Sequence, residues 1–213
     1  QREIPHYRVR FFEELYAQGR SMDLDIHVYA GAPPTSQPAS FLFQVHTLRH
    51  FGREKTDPYW MCGLEQAIAG SDVVVAPQEL QCLTVPYLWM KRKRICKTWI
   101  WWGHGYNFQA SVRPSISART KEAMKRFMTK RGDGVITYTA RGAEYWRQQG
   151  LPADRVFPYY NTIDVEGLQR IGEEIPVQQL IEQRRKLGIE GKRVLLFSGR
   201  LYSEKKVDFL LRA

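Results

Sequence analysis

Apolar positions along this chain switch between a helical period and a strand period, and the switches mark out its elements. Val9, Phe11, Phe12, Leu15 and Tyr16 share one helical face after Pro5-His6-Tyr7-Arg8, with Gly19 at its end. Leu24 to Tyr29 alternates and predicts a strand; after the breaker Gly31-Ala32-Pro33-Pro34, Phe41 to Val45 predicts another. Pro58 opens a helical pattern through Trp60, Met61, Leu64, Ile68 and Ala69, and Asp72 to Ala76 is a short buried strand stopped by Pro77. A helix over Glu79 to Lys91 follows, which Pro86 should distort or split. Thr98 to Trp102 predicts a strand that empties into Gly103-His104-Gly105. Ser117 to Lys130 reads as a basic helix, Gly134 to Tyr138 as a strand, Ala140 to Gln149 as a helix, and Val156 to Tyr160 leads into Asn161-Thr162-Ile163-Asp164. A helix over Val177 to Leu187 precedes Val194 to Phe197, a wholly apolar run expected of a strand buried on both faces. Ser198-Gly199-Arg200-Leu201 then turns, and Ser203 and Glu204 introduce Val207, Phe209, Leu210 and Ala213 on one helical face. Strands alternating with helices at this spacing predict an α/β fold with a parallel sheet covered on both faces.

Composition narrows the setting. A chain of 213 residues with 43% hydrophobic content can bury one good core and begin a second. No apolar run nears the roughly eighteen residues a bilayer span needs, and no signal peptide is visible. Cys62, Cys82 and Cys96 lack metal-ligand spacing and read as reduced thiols in a cytoplasm. The net charge of +10 calls for an anionic partner: nucleic acid, anionic lipid or a phosphorylated substrate. The start at Gln1 and the stop at Ala213, inside a helical pattern, are those expected of part of a longer protein.

Four stretches are candidates for chemistry. Strand, Gly turn and helix start over Val194 to Ala213 would make an anion site, with Arg200 and Lys205 adding charge, or else a plain connector. His104, between two glycines past an apolar strand, sits where open α/β sheets bind ligands and where the backbone can approach closely; a local cap is the alternative. Asp23-x-Asp25 has a metal-binding spacing, but it opens a strand and is read as incidental, so no metal is expected. From Pro86 to Arg131, twelve Lys and Arg face Glu122 alone, with Tyr87, Trp89, Met90 and Phe127 interleaved. Cations beside aromatics suit an anionic membrane surface, for which Lys91, Arg92, Lys93, Arg94, Lys125 and Arg126 are the candidates. Nucleic acid is the rival, unsupported by any RNA- or DNA-binding motif.

Phe197-Ser198-Gly199-Arg200-Leu201 with Glu204-Lys205 resembles the opening of the second domain in the retaining glycosyltransferases of family four, which have the GT-B fold. Ile136 to Asp164, with Thr137, Gly150 and Asn161-x-Ile163-Asp164 in order, resembles the close of that family's first domain, and Ile4 to Leu15 its first loop and helix. The likeness is strongest over 136–164 and 193–213 and weakest over 30–60.

The resemblance implies an acceptor-side Rossmann-like domain over 1–164 lacking its first strand, then a linker and the first strand-helix unit of a nucleotide-sugar-binding domain over 165–213. It implies transfer of a sugar, with retention, from a nucleotide diphosphate-sugar to a lipid-linked or cell-surface glycan. The donor is a co-substrate, with no further cofactor, and the enzyme would be peripheral at the inner membrane face. Gly199, Arg200 and Lys205 would hold the diphosphate; His104, Arg200 and Lys205 would be catalytic; and Tyr7, Arg8, Gly103, His104 and Gly105 would line the acceptor side. Lys206 stands where the family has Gly, so a small change of loop conformation is expected. The paired Glu residues that read the nucleoside would fall beyond Ala213, leaving the chain inactive alone. The slot of the missing central strand would be filled by residues before Gln1 or by a run such as Val194 to Phe197. The competing class is a non-catalytic basic α/β module that binds nucleic acid or anionic lipid.

Overall fold

The computed structural model describes residues 2–32, 41–52, 58–105, 115–199, 201 and 205–212, and the chain divides into two units, Gln1–Asp164 and Val165–Ala213. In the first, a 3-10 turn at His6–Arg8 leads into α1 (Val9–Ser21), β1 (His27–Ala30), β2 (Gln44–Thr47), β3 (His50–Phe51), β4 (Trp60–Met61) and α2 (Leu64–Ile68). β5 (Ser71–Pro77), α3 (Thr84–Ile95), β6 (Cys96–Gly103), α4 (Ile116–Lys130), β7 (Gly134–Thr137), α5 (Ala140–Gln148) and β8 (Val156–Pro158) follow. The last four strands pair in the order β5-β6-β7-β8, all parallel, giving the expected α/β arrangement of Rossmann-like kind.

β6 organises this sheet. Its period of two buries Trp99 and Trp101 on one face and turns Trp102 to the other. Trp101 donates its indole N–H to the carbonyl of Met128 in α4 at 3.2 Å. Trp102 meets Phe11 and Phe12 of α1, with ring centroids 5.9 and 6.2 Å away. Helices therefore cover both faces.

Three local expectations are corrected. Trp60 and Met61 are extended, pairing with Phe51 and His50. Tyr59 and Met61 are buried while Trp60 between them is exposed, a strand's alternation. The Met61 N–H is met by the hydroxyl of buried Thr84 at 2.7 Å, and Gly63, at φ 75, lets the chain turn before α2 starts. Pro86 does not split α3, because the helix starts at Thr84 and places Pro86 in the first turn, where a missing N–H costs nothing. Gly19 does not end α1; it lies within it because Ile26 packs where a Cβ would sit, 2.5 Å from it.

The parallel sheet is divided. β1 and β2 form a separate parallel pair, and among the described residues no strand joins them to β5. Packing links the two parts: Tyr29 donates to the carbonyl of Ala67 at 2.9 Å, and Tyr29 and Leu48 rest on the larger core. β5 keeps one edge unpaired among the described strands, with Val73 and Val75 about half exposed.

The second unit holds α6 (Val165–Glu174), α7 (Val177–Lys186) and α8 (Val207–Arg212), and none of its described residues is buried. Val194 to Phe197 is not the expected strand: it is irregular, and Leu195 and Leu196 are 78% and 84% exposed. An extended run has no hydrogen bonds of its own, and no described strand offers it a ladder. Lys206 has φ 53, a left-handed backbone that favours glycine, directly before α8.

Candidate functional site

Sheet register builds the site. Gly103 lies opposite Thr137, and Thr137 opposite Pro158. The next residue on each strand is therefore His104, Tyr138 and Tyr159, three rings in a row past the carboxyl ends of β6, β7 and β8. The His104 and Tyr138 ring centroids are 4.3 Å apart, and those of Tyr138 and Tyr159 6.1 Å. Tyr138 and Tyr159 escaped the sequence reading, because their common place past the strand ends is set by the sheet register.

Arg8, delivered by the turn before α1, lies behind this row and is buried at 7% exposure. Its Nη2 donates to the Tyr138 hydroxyl at 2.6 Å. Its guanidinium carbon sits 4.6 Å from the Trp102 ring centroid, 5.3 Å from that of Tyr138 and 5.9 Å from that of Tyr7. Arg8 Nε and Trp102 Nε1 are both sealed from solvent with no hydrogen-bond partner. Tyr7 itself is partly exposed.

These surroundings set the protonation states. His104 is exposed as a residue, yet partial desolvation of its ring, then the charges of Arg8 and Lys125, pushes it below its ordinary value and favours the neutral ring at pH 7. Burial raises the Tyr138 and Tyr159 hydroxyls, with Arg8 opposing it in both, so they remain protonated donors. The edge thus presents one fixed cation and three neutral hydrogen-bonding rings.

The glycines beside His104 serve a different purpose from the one expected. A Cβ on Gly103 would lie 2.4 Å from the Gln78 side chain, and one on Gly105 (φ +91) 2.9 Å from Gly142 Cα. A Cβ on Gly142 would in turn lie 2.6 Å from the His104 carbonyl. The close approach is by the protein's own α5 and Gln78, which clamp the loop and leave the His104 side chain at the exposed edge.

The remaining candidates lie elsewhere. Gly199 and Lys205 are exposed in the second unit, and Arg200 lies outside the described residues, as do Ser203 and Glu204. Asp25 accepts from His27 at 2.9 Å and from Gln44 at 3.0 Å, which uses that carboxylate locally. Among the described residues no cluster of three or more His, Cys, Asp or Glu is arranged to hold a metal. The three cysteines are free.

The basic stretch folds into one surface across α3 and α4. Trp89 and Phe127 meet edge to face at 5.9 Å, and Arg92 donates to the carbonyl of Arg131 at 3.1 Å. Arg92 stacks on Trp89 at 4.6 Å and Arg131 on Phe127 at 3.8 Å. Lys93, Arg94 and Arg126 are exposed, as are Met90, Met124 and Phe127. Not every cation is available: Lys91 pairs with Glu65 at 2.8 Å, Lys97 with Asp72 at 2.6 Å and Lys125 with Glu122 at 2.9 Å. Glu65 and Asp72 lie outside the basic segment, so its local excess of charge is smaller in the fold than along the chain. Among the described residues no helix is long and apolar enough to cross a membrane.

Comparison with protein-family models, with curated proteins and with solved structures returns no match to this chain.

Proposed function

We propose that this chain is the acceptor-side domain, with the beginning of the donor-side domain, of a retaining GT-B-type glycosyltransferase acting at the cytoplasmic face of a membrane. The observation that carries the proposal is the row His104, Tyr138 and Tyr159 past three adjacent parallel strands, with Arg8 behind it. Open α/β sheets bind their ligands at that end. The wording of Phe197 to Leu201 and of Ile136 to Asp164 supplies the reaction class.

In this reading the acceptor, a lipid-linked or cell-surface glycan, lies over the row. Neutral His104 exchanges a hydrogen bond with a sugar hydroxyl, and the tyrosine hydroxyls orient the ring. Gly199, Arg200 and Lys205 hold the diphosphate of the nucleotide-sugar. The two cations offset charge that grows on the departing diphosphate, an interaction worth most in the transition state. The α3–α4 surface favours a membrane partner over nucleic acid, since its cations are clamped on aromatic rings that suit the interface.

The test is release of nucleoside diphosphate from a panel of nucleotide diphosphate-sugars, in the protein that contains this chain, with lipid-linked acceptors present. Arg200→Ala should lower turnover more than donor affinity. Absence of both donor binding and release across the panel would leave the non-catalytic basic module as the answer.

A further inference from the structure

Arg8 is the one charged side chain that is buried among the described residues. Taking a guanidinium out of water costs several kcal/mol, and an acidic partner ordinarily offsets it. None is in place: no ion pair of the described residues includes Arg8. The rings of Trp102, Tyr138 and Tyr7 return about 0.5–2 kcal/mol each. Of the five N–H donors a guanidinium carries, one is used, on the Tyr138 hydroxyl.

The unused groups share one character. Arg8 Nε and Trp102 Nε1 are both donors, both sealed, and both without a partner. Arg8 Nη1 has no hydrogen bond either, yet it is not sealed off. Since a ligand arriving from solvent cannot reach the sealed groups, Nη1 is the donor left for it, and a charged N–H group pairs best with an oxygen of a carboxylate or phosphate. Around it stand Tyr7, Tyr138, Tyr159 and His104, which suit the hydroxyls of a sugar rather than a bare ion.

We propose that Arg8, through Nη1 and with Tyr138 beside it, forms an oxyanion subsite, and that the ligand seated over the His104 row is an acidic sugar or a sugar phosphate. The subsite deepens the glycosyltransferase reading, resting on it only in calling that ligand the acceptor. A neutral glycan could accept a hydrogen bond from Nη1 but would leave the buried charge without a counter-charge.

The test titrates the 213-residue chain with glucuronate, glucose 6-phosphate, inorganic phosphate and glucose. It follows the Trp102 indole N–H and the His104 ring by NMR, each assigned through a Trp102→Phe or His104→Gln variant. Glucuronate or glucose 6-phosphate should move the Trp102 signal. The same ligand should raise the His104 midpoint, because neutralising Arg8 removes one of the charges that hold it down; Lys125, the other, stays. Glucose should do neither. Arg8→Gln should weaken anion binding tenfold or more, with Arg8→Lys in between. If Arg8→Gln does not fold, Arg8→Lys keeps the buried charge, loses the guanidinium Nη1, and should weaken binding severalfold. A response to glucuronate alone assigns a uronic acid, and one to both phosphates a phosphorylated sugar. Equal binding of glucose and the anions, or anion binding unchanged in Arg8→Gln or Arg8→Lys, overturns the subsite. Anion binding without any use of nucleotide-sugars would retain the subsite and remove the glycosyltransferase reading; transfer to neutral glycans with no anion response would do the reverse.

Discussion

Replacing Lys93, Arg94 and Arg126 together by Gln should nearly abolish attachment to anionic vesicles. The three are exposed residues of α3 and α4, and none has an ion pair among the described residues. Each cation near an anionic leaflet contributes about 1 kcal/mol, so the triple change should cost about 3 kcal/mol, or about 150-fold in partitioning at low salt. Lys91 and Lys125 are predicted to matter less, for a geometric reason. Each already faces a carboxylate, Glu65 or Glu122, and a neutral pair adds almost nothing to the field at the membrane. Removing only the lysine would unmask the acid, so the informative control removes the pair: Lys91→Gln with Glu65→Gln, and Lys125→Gln with Glu122→Gln. Both double variants should bind within about threefold of the parent, since net charge and exposed cations are unchanged. Co-sedimentation with phosphatidylcholine vesicles containing graded phosphatidylserine, at low and high salt, reads all three proteins. Loss of binding in the paired variants equal to that in the triple variant would refute this account of the surface. So would binding indifferent to salt.

Thr84→Val should destabilise the first unit by about 1–3 kcal/mol in urea, because it strands the buried Met61 N–H without its 2.7 Å acceptor. Gly142→Ala should also destabilise, by about 1–3 kcal/mol, although alanine ordinarily stabilises a helix over glycine; the new Cβ would lie 2.6 Å from the His104 carbonyl and displace that loop. Unchanged or higher stability would mean the loop yields freely. Since His104 is held below its ordinary value, its contribution is present above about pH 6.5 and is lost as pH falls through the lower folded value. Urea midpoints should therefore fall more steeply on acidification in the parent than in His104→Gln, and identical profiles would contradict that shift.

The legible parts of the fold were those whose pattern is local and whose partners lie nearby. Trp99 to Trp102 announces a buried strand, and α4 and α5 follow from their helical stripes within a residue or two. Val194 to Phe197 has as strong a strand composition as any run here, yet whether it forms one depends on a ladder it does not contain. Trp60 and Met61 fit a helical stripe equally well, and the hydroxyl of Thr84, more than twenty positions on, decides against it. At the site, His104 and Arg8 stand out as residue types in suggestive places. Their neighbours Tyr138 and Tyr159 become visible only through the register of β6, β7 and β8, a non-local quantity. The burial of Arg8 is likewise unreadable from Tyr7-Arg8-Val9, because Trp102 and Tyr138, which enclose it, lie far along the chain.

The division of the parallel sheet gives the site a seam. Phe11 and Phe12, on the helix that Arg8 directly precedes, belong with the small cluster around β1 and β2, whereas His104, Tyr138 and Tyr159 follow the strands of the larger sheet. Side-chain packing holds the two parts together across Trp102, with no strand pair to break among the described residues. Such a joint opens at lower free energy than a ladder, so hydrogen exchange in α1 and β1 would run ahead of that in β6. A ligand held by Arg8 on one side and by the ring row on the other spans the joint. Its binding energy then adds directly to the attachment of the two parts, so occupancy would be felt first as slower opening of α1.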